Sequence, residues 1–92
     1  MSTLVLVKLN PIDADKIAEY SKRAAETLAA FGGEFIAKGD LSALHGETKF
    51  AKSVVIAFPD YDKAVGWYNS PAYQDLIALR DAGMESQFLV IA

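Results

Sequence analysis

The chain has 92 residues, 52% of them hydrophobic and 23% charged, with a net charge of −3. That length suits one domain over residues 1–92, since two independent cores need a longer chain. The acidic balance leaves no basic footprint for nucleic acid, no apolar run approaches the roughly 18 residues that cross a bilayer, and the lack of cysteine excludes disulfides and thiolate metal sites.

Thr3 to Leu9 is a leucine and β-branched run, read as a strand and ended by Asn10-Pro11. No basic region with a small-residue cleavage site precedes it, so a cytoplasmic location is expected. Asp13 offers an N-cap and Asp15 an acidic first turn. Ile17, Tyr20, Ala24, Leu28 and Phe31 then recur at spacings of three and four, which predicts one buried stripe of a helix. Glu19, Lys22, Arg23 and Glu26 form its solvated face. Gly32-Gly33 supplies a left-handed stop.

Glu34 to His45 alternates imperfectly, and Gly39-Asp40 predicts a bulge or bend that splits it into a strand and a short extension. Gly46 to Lys52 reads as a loop, and Ser53 to Phe58 as the most apolar strand. Asp60 caps a second helix, with Asp62 in its first turn. Ser70 before Pro71 is a second cap with proline at the first helical position, so this helix breaks and restarts. Tyr73, Leu76, Ile77 and Arg80 share the restarted helix's inner stripe, Gly83 ends it, and Gln87 to Ala92 forms the last strand.

A βαββαβ order predicts a ferredoxin-like α+β sandwich with two helices lying on one face of an antiparallel sheet. A strand with one wet face should alternate apolar and polar residues. Leu4-Val5-Leu6-Val7, Val54-Val55-Ile56-Ala57-Phe58 and Phe88-Leu89-Val90-Ile91 are instead apolar on both faces. Helices cover only one of them, so a second copy is expected to cover the other, making a symmetric homodimer packed sheet to sheet.

Phe58-Pro59 before a capped helix, Trp67-Tyr68-Asn69-Ser70-Pro71, Tyr73-Gln74 and Leu79-Arg80 resemble the signature of a bacterial domain-of-unknown-function family, number 1330 in its series. Tyr20, Phe31-Gly32-Gly33 and Gly46 agree with it in the first half. That family resembles the dimeric α/β-barrel superfamily, whose members pair ferredoxin-like subunits through their sheets. The resemblance thus implies the same dimer. The family often carries arginine where this chain has Lys38, and lysine lacks the guanidinium's bidentate fork.

Candidate chemistry is sparse. His45 is the only histidine, and with Glu47 it offers at most two metal ligands where a site needs three or four, so no metal is expected. Haem ligation by a single histidine occurs in the wider superfamily, but no cofactor is expected here. Tyr20, Trp67, Tyr68 and Tyr73 form an aromatic set on inner helical faces, either packed as core or orienting a small ligand. Arg80, on the same stripe, must snorkel, pair with a carboxylate such as Asp60 or Asp62, or hold a ligand anion. The candidate pocket residues are therefore Tyr20, His45, Trp67, Tyr68 and Arg80. No glycines of a nucleophile elbow flank Ser70, and no phosphate loop is present. Two functions follow: a dimeric binding or scaffold module with an apolar pocket, or a small cofactor-independent enzyme, monooxygenase-like or isomerase-like, acting on an aromatic or polyketide-like metabolite.

Overall fold

Alternation in the first strand decides the centre of the fold. Strand β1 (Thr3–Pro11) buries Thr3, Val5, Val7 and Leu9 and leaves Leu4, Leu6, Lys8 and Asn10 half-buried on the opposite face. The computed structural model describes residues 2–92. After β1 come helix α1 (Ala14–Leu28), a 3-10 turn (Ala29–Phe31), strands β2 (Glu34–Asp40) and β3 (Lys52–Phe58), helices α2 (Tyr61–Asn69), α3 (Pro71–Gln74) and α4 (Ile77–Gly83), and strand β4 (Met84–Ile91). All pairings are antiparallel, in the order β2-β3-β1-β4. The result is the ferredoxin-like α+β sandwich, with an open sheet that does not close into a barrel.

The helix ends follow the capping residues. The Asp13 carboxylate accepts from the Asp15 and Lys16 amides, that of Asp60 from the Lys63 amide, and Ser70 Oγ from the Tyr73 amide with Pro71 beside it. Gly32 stops the 3-10 turn at φ +69°, a conformation that costs little only for glycine. The second helical region is divided twice rather than once, since the chain turns again at Asp75-Leu76.

One core joins the layers. Val5, Val7 and Leu9 of β1 and Ile56 and Phe58 of β3 meet Tyr20, Ala24 and Leu28 of α1, Trp67 of α2 and Tyr73 of α3. Burying these apolar side chains is the main force holding the helices to the sheet.

Three boundaries differ from the sequence expectation. The bulge in β2 lies between Phe35 and Ala37, not at Gly39-Asp40, and the strand ends at Asp40 rather than running toward His45. Strand β1 runs on to Pro11 and β4 starts at Met84, because Asn10 and Pro11 pair with Glu85 and Met84. The Ile12 and Asp13 amides both donate to the Gly83 carbonyl, at 2.8 and 2.9 Å, which ties the entry of α1 to the exit of α4. Such long-range pairing has no local signal.

Candidate functional site

Each flank of the helix-covered sheet face carries a cavity. Every residue of β2 is exposed, Phe35 and Ile36 included. Between α1 and the β2–β3 flank lies a cavity of about 400 Å³, walled by Ile17, Tyr20 and Ala24 of α1 and by Phe35, Val54 and Ile56 of the sheet. A second cavity of about 370 Å³ opens on the β4 flank, between Ala64 and Tyr68 of α2, Arg80 of α4 and Val90 of β4. Trp67 and Phe88 line both. They and Tyr73 form the partition: the Trp67 and Tyr73 rings lie 4.4 Å apart and those of Tyr73 and Phe88 6.2 Å apart.

A chain of polar groups crosses this partition. The Tyr20 and Tyr73 hydroxyls are 2.6 Å apart. Arg80 Nη1 donates to the Tyr68 hydroxyl at 3.0 Å and the Tyr73 hydroxyl at 3.2 Å, and its Nε donates to Asp81 at 3.1 Å. The guanidinium lies 4.9 Å from the centre of the Phe88 ring, a cation–π contact. Burial pushes the Tyr20 and Tyr73 phenols up from their usual range, so both stay neutral and serve as hydrogen-bonding groups rather than bases. For Arg80, burial disfavours the charge, but hydrogen bonds to Tyr68 and Tyr73 outweigh it and hold the guanidinium firmly protonated. Trp67 Nε1 donates to Thr27 Oγ1 at 2.8 Å, which in turn donates to the Ala24 carbonyl at 2.7 Å.

Tyr73 is the node of this network and is fully buried. Tyr73→Phe removes a hydroxyl that Tyr20 and Arg80 both use, and is expected to cost about 1–3 kcal/mol. Urea unfolding followed by circular dichroism checks it, and Tyr20→Phe, which strips only one end of the chain, should cost less.

The structure places four of the five candidate residues together. Tyr20 and Trp67 line the larger cavity, while Trp67, Tyr68 and Arg80 line the smaller one. His45 sits apart, exposed in the segment between β2 and β3, and lines neither cavity. Arg80 pairs with its neighbour Asp81 and two tyrosines, not with Asp60 or Asp62, whose positions at the start of α2 are used in capping and the first turn. Sequence reasoning missed Phe35 and Phe88 as wall residues. An apolar residue on a strand of uncertain register carries no mark of which face it will take.

Polar groups are few around the larger cavity. Besides Tyr20, the polar residues there are Lys38, Lys52, Ser21 and Ser53. Ser53 Oγ donates to the Val7 carbonyl at 2.9 Å, and Lys52 Nζ pairs with Asp40 at 2.6 Å. That hydrogen bond holds the Asp40 carboxyl below its usual range. Among the described residues, no carboxylate or imidazole lines the cavity.

Comparison with known proteins places this geometry in a family. The profile described as "Domain of unknown function (DUF1330)" matches residues 2–92, and the chain belongs to that family. No match was found among curated proteins. Among solved structures, a protein of unknown function from Rhodopseudomonas palustris, RPA0582, is similar with a TM-score of 0.79 at 15% identity, covering 98% of this chain and 80% of that one. SnoaB, a cofactor-independent oxygenase from Streptomyces nogalater, is similar at TM-score 0.72 and 13% identity, covering 99% and 91%. A dimeric ferredoxin-like protein of unknown function from Thermobifida fusca is similar at 0.65 and 14%, covering 100% and 91%. At these identities the likeness concerns the fold.

Proposed function

We propose that this DUF1330 member is a cytoplasmic binding module that takes a small apolar or aromatic molecule into the larger cavity, and that it acts as a homodimer joined through the open sheet face. The observation that carries the reading is the cavity itself. At about 400 Å³ it lies within the roughly 300–1,000 Å³ usual for small-molecule sites, and aromatic and aliphatic side chains dominate its walls. No helix among the described residues is long and apolar enough to cross a membrane. The dimer is supported by the half-exposed apolar side of the sheet and by the dimeric state of similar structures.

Turnover is the second reading, and the similar oxygenase fold is what favours it. The wall residues offer it little acid–base chemistry, because the Tyr20 phenol is held neutral and no carboxylate among the described residues faces the space.

Trp67 is the single tryptophan and lines the cavity, so its emission reports on occupancy. Titration with 2-naphthol is expected to change that emission saturably at micromolar to millimolar probe, and native mass spectra should show one probe per chain. An unchanged emission together with a bare chain in the mass spectrum overturns the binding reading. A new product mass in the same samples supports turnover.

A further inference from the structure

We infer that the larger cavity selects a molecule with an apolar, ring-sized body and a single carboxylate, and that the Lys38 ammonium receives that carboxylate. This deepens the binding reading above and rests on it. The bulge in β2 sets which side chains face the cavity. Phe35 pairs with Ile56 and Lys38 with Val54, and Ile56 and Val54 are on the helix-covered face. Ala37 pairs with Val55 on the opposite face. In a regular strand, residues three apart point to opposite faces. The extra residue in the bulge brings Phe35 and Lys38 to the same side, and both line the cavity. Bulges commonly re-aim one side chain in this way at binding sites.

Charge favours the same assignment. Two lysines line the cavity, Lys38 and Lys52. Lys52 is neutralised by Asp40, whereas no ion pair or hydrogen bond holds the Lys38 ammonium among the described residues. The rim therefore carries one uncompensated positive charge above apolar walls, in a chain whose net charge is −3. One free cation matches a monoanion, and no second one is present to balance a dianion. Lysine acts here as a point charge on a flexible stem, so it can reach a carboxylate at the mouth while the ring of the ligand lies between Phe35 and Trp67.

The test compares two probes of nearly equal shape, 2-naphthoate and its neutral amide 2-naphthamide, by titration calorimetry. The protein is expected to bind the carboxylate about three- to tenfold more tightly than the amide, the range for a partly exposed charged contact. Lys38→Met should remove that preference while leaving amide affinity within about twofold, and Lys22→Met, on the solvated side of α1, should leave it intact. If wild-type protein binds both probes equally, or Lys38→Met keeps the preference, the assignment of Lys38 is overturned while the pocket stands. If neither probe binds, the pocket reading fails, and this inference fails with it.

Discussion

Trp67→Ala is expected to cost about 3–5 kcal/mol, the usual range for removing a fully buried aromatic side chain. Trp67 is only 1% exposed and packs at 5.4 Å from the Phe58 ring and 4.4 Å from that of Tyr73. The indole also satisfies Thr27 at 2.8 Å. A domain of this length has a net stability of about 5–14 kcal/mol, so one truncation removes a large part of it. Because Trp67 lines both cavities, its loss joins them into one space that the remaining rings cannot fill without shifting. The urea midpoint followed by circular dichroism should fall by roughly 2 M or more at fixed protein concentration. Trp67→Phe keeps most of the apolar contact but loses the hydrogen bond to Thr27, and should fall between wild type and the alanine variant. A fall of less than about 1 kcal/mol in Trp67→Ala would show that the partition is not a packed part of the core.

The partition also explains which parts of the molecule were readable in advance. Caps and stripes are local: Asp13, Asp60 and Ser70 cap their helices, and Tyr20, Ala24 and Leu28 are buried at the predicted spacing. Doubly apolar strands gave away the uncovered sheet face for the same reason, because burial on one face leaves the alternate residues to account for. What could not be read depends on register. The position of the β2 bulge decides that Phe35 and Lys38 share a cavity, and the choice between Gly39 and Ile36 as the irregular residue rests on pairing with β3. A glycine marks where a backbone can bend, not where it must. The partners of Arg80 were hidden in another way. Tyr68 and Tyr73 reach it because α2, α3 and α4 turn twice, which puts side chains seven and twelve residues apart within hydrogen-bond distance of one guanidinium. Helical periodicity alone would have continued a single axis through Leu76.

Leu6→Glu is expected to convert the protein from a dimer of about 20 kDa to a monomer of 10.0 kDa in light scattering after size exclusion. Leu6 lies in the central strand β1, between Val55 of β3 and Leu89 of β4, on the face that no helix covers. Leu4, Ala57 and Ile91 extend the same apolar surface, and Ile91 is 51% exposed in the single chain. The chain measures 33 × 30 × 17 Å, so the broad face is large enough for the roughly 800 Å² per partner of a stable interface. In the proposed dimer a carboxylate at position 6 enters the interface twice, once from each copy. Burying it without a partner costs at least about 3 kcal/mol per dimer, which raises the dissociation constant more than a hundredfold. The fold of one chain should survive, because the side chain at this position is only half-buried before pairing and a lone glutamate there can stay in water. An unchanged far-ultraviolet dichroism spectrum checks that point. Tyr61→Glu makes the same charge change at the exposed start of α2, away from the sheet, and should leave the dimer mass unaltered. A wild-type mass of 10.0 kDa at micromolar concentration sinks the dimer altogether. A Leu6→Glu protein that still runs as a dimer moves the interface to another face.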